Sequence, residues 1–144
     1  LLSDLISPLL SALLLHPGWS ISVNDVSETN SKVLHDLRKT CKYVRYQAEF
    51  FTNFYDKSFK EWIDEVKELQ DSLGKLQDMS VLRELLRREL PEGTDLPEMQ
   101  QAIQEDCIAA MVNWETVRQK YLSADFRYHL HQMILEPLIQ QISA

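Results

Sequence analysis

Apolar residues recur at three- and four-residue spacing along most of the chain, which is the period of an amphipathic helix. The rows consist of Leu34, Leu37, Cys41, Val44, Ala48 and Phe51, then Trp62, Val66, Leu69, Leu73 and Leu76, and then Ile103, Cys107, Ala110, Met111 and Trp114. Alternating β-branched runs are absent, and the chain has only three glycines. The pattern predicts an all-α fold with helices at about 2–15, 31–55, 58–89, 96–121 and 124–141.

Polar segments rich in Ser, Thr, Asn, Asp and Pro separate these helices. Residues 16–31 form the first such loop, and in the loop at 90–97 either Thr94 or Asp95 is expected to cap a helix that has Pro97 in its first turn. Pro137 should kink or end the last helix. The short loops predict an antiparallel bundle of long helices, and 144 residues suffice for one domain with a core of its own.

The first fifteen residues are apolar but too short to span a bilayer, which takes about 20 residues. Asp4 and Pro8 also interrupt them, so we expect a core helix and no membrane partner. Cys41 and Cys107 lie in helical segments and provide neither a disulfide framework nor a zinc-ligand set. Reduced thiols fit a cytoplasmic protein.

The second helix concentrates positive charge on one side. Five of the chain's 15 basic residues fall within fourteen positions there, opposed only by Asp36; they are Lys32, Arg38, Lys39, Lys42 and Arg45. Helical geometry places His35, Arg38, Lys42 and Arg45 within a sector of about 80°, and Lys39 extends it. We call His35, Arg38, Lys39, Lys42 and Arg45 the basic stripe. Aligned cations repel unless an anion compensates, and a row about 15 Å long suits an extended polyanion.

The rest of the chain argues against general attraction to polyanions. The 22 acidic residues leave a net charge of −7, so we expect no binding to nucleic acid or to anionic membranes through a broad positive field. A polyanion would have to be recognised by the basic stripe itself.

The third helix carries a repeat, with Leu-Gln-Asp at 69–71 and again at 76–78. Gly74 lies between the two copies, and because glycine costs about 1 kcal/mol inside a helix, we expect a neighbouring helix to approach it closely. We place Asp71 or Asp78 against the basic stripe to hold an arginine, with an ordinary surface position as the alternative.

Together, "LHDLRKTCKYVRYQAEFF" and "VKELQDSLGKLQD" resemble the second repeat of the CHAD family, the histidine-containing α-helical domains often found beside CYTH-type triphosphatase domains. The resemblance covers about residues 31–136 and implies a four-helix repeat beside a groove that binds inorganic polyphosphate. It implies that the groove residues are His35, Arg38, Lys39, Lys42 and Arg45, with Lys67 as a further candidate.

The same resemblance implies a domain organisation. The chain is expected to be a single domain, the C-terminal half of a CHAD-like domain, with residues 1–15 closing a missing first half and 31–142 forming the second repeat. A second copy of the chain or an upstream repeat would then complete the groove.

We expect binding without catalysis and without a cofactor, because no nucleophile, glycine-rich phosphate loop or acid-base pair has a distinctive spacing. Two alternatives remain open. "HDLRKT" is close to the phosphoacceptor box of sensor histidine kinases, which would make His35 a phosphoacceptor in a signalling bundle. The second alternative is a structural or adaptor bundle. A metal site is not expected, since His129 and His131 point about 200° apart on a helix.

Overall fold

A computed structural model describes residues 1–22, 28–93 and 96–138. Within these ranges it contains five α-helices and no strand: α1 (Leu2–Leu14), α2 (Glu28–Glu49), α3 (Lys57–Glu89), α4 (Pro97–Leu122) and α5 (Ala124–Leu135). Short 3₁₀ helices at Pro17–Ser20 and Thr52–Phe54 follow α1 and α2. The predicted all-α bundle is confirmed.

The boundaries of α2 differ from the prediction at both ends. The helix begins three residues earlier than expected, at Glu28, and ends six residues earlier, at Glu49. The chain then turns, and Asp56 caps α3 by accepting a hydrogen bond from the Ser58 amide at 3.1 Å. Aromatic residues continue through this turn, so hydrophobicity alone did not mark the end of the helix.

The bounds of α1, α3 and α4 lie within one residue of the prediction, whereas α5 ends at Leu135, six residues earlier than expected. Pro97 is in the first turn of α4, and α5 ends at Leu135, before Pro137. The predicted cap at Thr94 or Asp95 lies outside the described residues.

The N-terminal helix α1 is part of the core. Its side chains Ile6, Leu10, Leu13 and Leu14 are buried, it packs against α2 and α5, and Pro8 lies inside the helix without ending it. Over the described part of the chain, no helix has the length and apolar character needed to cross a bilayer. The expectation of a core helix is confirmed, whereas its assignment to an upstream repeat stays a prediction.

A stack of aromatic rings locks the segment after α1 into the bundle. Trp19 stacks between Trp114, at 5.5 Å between ring centroids, and Tyr121, at 4.6 Å. The indole nitrogens of both tryptophans donate to backbone carbonyls, that of Trp19 to Leu13 at 2.8 Å and that of Trp114 to Ile21 at 2.9 Å. These contacts hold α4 against the segment that follows α1, and the most extensive contact between two helices is that of α2 with α3.

Candidate functional site

The basic stripe runs along α2 at the border between its buried and exposed faces. The row Leu34, Leu37, Cys41, Val44 and Ala48 is buried against the rest of the bundle. Beside it, His35, Arg38 and Arg45 are half-buried, whereas Lys39 and Lys42 are exposed. Of the half-buried residues, His35 and Arg38 contact α3, and the two lysines face solvent.

Arg38 is held by α3 without being neutralised. Its guanidinium lies over Gly74, where an added Cβ atom would come within 3.2 Å of Nε and Nη2. Its Nη1 donates to Oε1 of Gln77 at 3.3 Å, while Nε is buried without a hydrogen-bond partner in the described structure. No carboxylate lies within ion-pair distance of Arg38 among the described residues, so the guanidinium keeps its full positive charge.

His35 shares the same amide oxygen. Its Nδ1 lies 2.8 Å from Oε1 of Gln77. Because arginine can only donate hydrogen bonds, the Gln77 atom that faces Arg38 must be the oxygen, and His35 Nδ1 must then carry the proton. This arrangement fixes the ring and leaves Nε2 as the nitrogen that can contact a ligand.

The prediction that Asp71 or Asp78 holds an arginine is wrong. Both are exposed, and neither forms an ion pair within the described ranges. Gln77 takes this role instead. It precedes Asp78 by one residue, so its side chain projects about 100° round the helix from that of Asp78. The repeat did not distinguish the two residue types, since Gln70 and Gln77 are separated by seven residues and so are Asp71 and Asp78.

Gly74 permits the expected close approach, but the group that approaches it is a side chain of the neighbouring helix. Gly74 allows close approach of α2 through the Arg38 guanidinium, which fills the place of the missing Cβ atom. A larger residue would displace the arginine.

Arg45, one heptad further along α2, has a partly different environment. Its side chain is 13% exposed, its Nη1 lies 3.7 Å from Oε1 of Glu49, and its guanidinium lies 4.6 Å from the ring centroid of Tyr46. Lys42 Nζ lies 5.9 Å from the same centroid. The distance to Glu49 is too long for a hydrogen bond, so its carboxylate screens Arg45 only partly.

Asp36, the acid within the basic segment, forms a hydrogen bond with His16 on another side of α2. The Gly18 amide donates to Nδ1 of His16 at 2.9 Å, so the ring proton is on Nε2, which donates to Asp36 at 2.7 Å. His16 was not identified from the sequence, because its partner lies twenty residues away. Asp36 therefore neither neutralises the basic stripe nor orients His35, as a phosphoacceptor site would require.

Lys67 is exposed on α3 and makes no hydrogen bond or ion pair with the other described residues. The structure thus brings His35 and Arg38 together through Gln77, whereas Lys39 and Lys67 stay apart as solvent-facing charges.

A protein-family model, the CHAD domain, matches residues 1–87. The chain belongs to the CHAD family. The match spans α1, α2 and nearly all of α3, so it contains the whole basic stripe together with Gly74 and Gln77. It starts earlier and ends earlier than the region of about 31–136 in which we noted the resemblance. No curated protein and no solved structure matches this CHAD chain.

Other chemistry in this CHAD chain finds little support. Burial raises the pKa of the Cys41 thiol to about 12, which keeps it protonated and unreactive near neutral pH. Among the described residues, no group of three or more His, Cys, Asp or Glu side chains is arranged to hold a metal ion. Glu65 on α3 accepts a hydrogen bond from Lys120 on α4 at 2.8 Å.

Proposed function

We propose that the chain binds inorganic polyphosphate or a related phosphate-rich polyanion through the basic stripe, without transforming it. The proposal rests on one observation, the contact between Arg38 and Gln77. Arginines withdrawn from solvent are usually paired with an acid, which offsets their charge. Here an uncharged amide fixes the guanidinium, and a phosphate oxygen is the kind of acceptor that the remaining N–H groups fit.

The shape of the stripe supports an extended ligand. Its cations follow one edge of α2 over about 15 Å and lie on an open surface, as suits a chain of phosphates. The exposed Lys39 and Lys42 add charge along that line. A second wall, supplied by another copy or by an upstream repeat, would enclose the ligand.

Binding without turnover is also part of the proposal. Catalysis of phosphoryl transfer needs a positioned nucleophile or a metal-bound phosphate. His35, the nucleophile candidate, donates to the Gln77 amide oxygen that Arg38 also contacts, and the acid next to it in sequence, Asp36, is bonded to His16. The groups around the stripe are therefore suited to holding anions.

The test is a titration with long-chain inorganic polyphosphate at low and at physiological salt, with single-stranded RNA of equal charge as competitor. We expect tight binding that weakens steeply with salt, because each neutralised phosphate releases condensed counterions, and that RNA displaces poorly. Oligomeric state is recorded throughout, so that pairing of two copies is detected.

The decisive variant is the double change Arg38→Glu and Arg45→Glu, which should abolish binding and leave helicity unchanged. Arg83→Glu with Arg88→Glu is the matched control, since both residues are exposed on α3 away from the stripe. If the first double variant binds as well as the control, the basic stripe is not the site.

A further inference from the structure

The spacing of arginine and glutamine at Arg38 and Gln77 is repeated one heptad away. Arg45 follows Arg38 by seven residues, and Gln70 precedes Gln77 by seven. Because α2 and α3 run antiparallel, a step of seven residues forward on α2 corresponds to seven residues backward on α3. Gln70 is therefore level with Arg45, as Gln77 is level with Arg38. The Leu-Gln-Asp repeat of α3 thus matches the arginine repeat of α2.

Both arginines have one N–H group without a protein acceptor. Nε of Arg38 and Nε of Arg45 are buried, and neither has a hydrogen-bond partner in the described structure. Oε1 of Gln70 is also buried without a partner, so Gln70 does not accept a hydrogen bond from Arg45 as Gln77 does from Arg38. Neither guanidinium is therefore fully satisfied by the described protein groups.

The flanking charges differ between the two places. One turn before Arg38 the stripe has His35, and one turn before Arg45 it has Lys42. Lys67 takes, beside Arg45, the register position that Gly74 takes beside Arg38. The place at Arg45 thus carries extra lysines, and Glu49 at 3.7 Å partly offsets them.

We propose that the basic stripe is a pair of arginine sites, one at Arg38 and Gln77 and one at Arg45 and Gln70, and that tight binding requires a polyanion long enough to occupy both. This proposal rests on the proposed function. Seven residues at 1.5 Å per residue separate the sites by about 10 Å. Pyrophosphate, with two adjacent phosphates, reaches one site, whereas a longer chain engages the second site as an intramolecular event.

The stripe therefore selects its ligand by length. Linking two weak sites through one ligand raises affinity by about 10²–10⁴ when the linker spans them. We expect the affinity per phosphate to be at least tenfold higher for a long chain than for pyrophosphate. This increase is well above the one expected only because a long chain can bind in many alignments.

The experiment compares pyrophosphate, triphosphate and long-chain inorganic polyphosphate by calorimetric titration at one ionic strength. Arg38→Gln and Arg45→Gln, each alone, should bring the long-chain affinity per phosphate down to near that of pyrophosphate. Pyrophosphate itself should lose only about twofold in each, because the other site remains. Arg83→Gln, which removes an equal charge elsewhere on α3, should change neither.

Circular dichroism and thermal unfolding establish that each variant is folded. If an arginine variant does not fold, Gln70→Glu provides the same test, because it keeps Arg45 and places a carboxylate in its site. A smooth rise of affinity with chain length, reduced only slightly by each single change, would overturn the two-site proposal while leaving polyphosphate binding intact. No binding by any phosphate chain would instead overturn the proposed function.

Discussion

Replacing Gln77 by glutamate separates the electrostatic role of this residue from its structural role. The two side chains have nearly the same shape, so the glutamate can keep both contacts, at 2.8 Å to His35 and 3.3 Å to Arg38. What changes is the charge, because a carboxylate now pairs with the guanidinium that the amide left positive.

The expected effects on stability and on binding have opposite signs. A partly exposed Arg–Glu pair contributes about 0–1 kcal/mol, so Gln77→Glu should leave the free energy of unfolding unchanged or slightly higher. Binding should weaken, since hydrogen bonds to a charged group are worth about 1.5–3 kcal/mol and the ligand must now compete with an internal carboxylate. At 1.4 kcal/mol for each factor of ten, the affinity should fall roughly ten- to a hundredfold.

The assay is a polyphosphate titration at low salt, combined with thermal unfolding of the same samples. Gln104→Glu, an identical change at an exposed position of α4, is the control for the added negative charge. A Gln77→Glu variant that is folded and binds as tightly as the Gln104→Glu control would refute the argument that an uncharged holder keeps the site positive.

Three further predictions follow from the same contacts and from one buried tyrosine. Gly74→Ala should weaken polyphosphate binding in a titration, because the added Cβ atom displaces the Arg38 guanidinium. The free energy of unfolding should stay level or rise by up to about 1 kcal/mol, because alanine has the higher helix propensity. Unchanged affinity would show that the position of Arg38 does not matter. Glu49→Gln should raise affinity in the same titration by up to about fivefold, because it removes the carboxylate nearest Arg45; a loss of affinity would contradict this. The Tyr55 hydroxyl donates to the Ile134 carbonyl at 2.7 Å, and burial raises the pKa of this hydroxyl. The stability that the protonated tyrosine contributes is therefore present below pH 10 and is lost as pH rises through its folded pKa. Urea unfolding between pH 8 and 11 should show this decline, with a smaller slope in Tyr55→Phe; equal slopes would contradict the assignment.

Periodicity was sufficient for the helices and for the location of the basic stripe. The buried row from Leu34 to Ala48 and the cations beside it follow from 100° per residue, whatever the neighbouring helix is. The end of α2 at Glu49 did not follow, because aromatic residues continue past it into a turn whose geometry depends on packing.

The contacts of the site required the register between helices. Whether Gln77 or Asp78 faces Arg38 depends on the rotation of α3 against α2, and no local pattern specifies that rotation. The expectation of a carboxylate came from general pairing preferences, and the amide departs from them. The bond from His16 to Asp36 likewise joins a loop to a helix across twenty residues.

The bond between His16 and Asp36 also bears on how fast the site at Arg38 could fill. Because Asp36 is tied to a buried ring on another side of α2, it cannot swing across and act as a resident counterion for Arg38. Among the described residues, no carboxylate has to leave Arg38 before an incoming anion can bind. Association at Arg38 should be set by encounter and electrostatic steering, and differences in affinity between ligands should appear mainly in their dissociation rates.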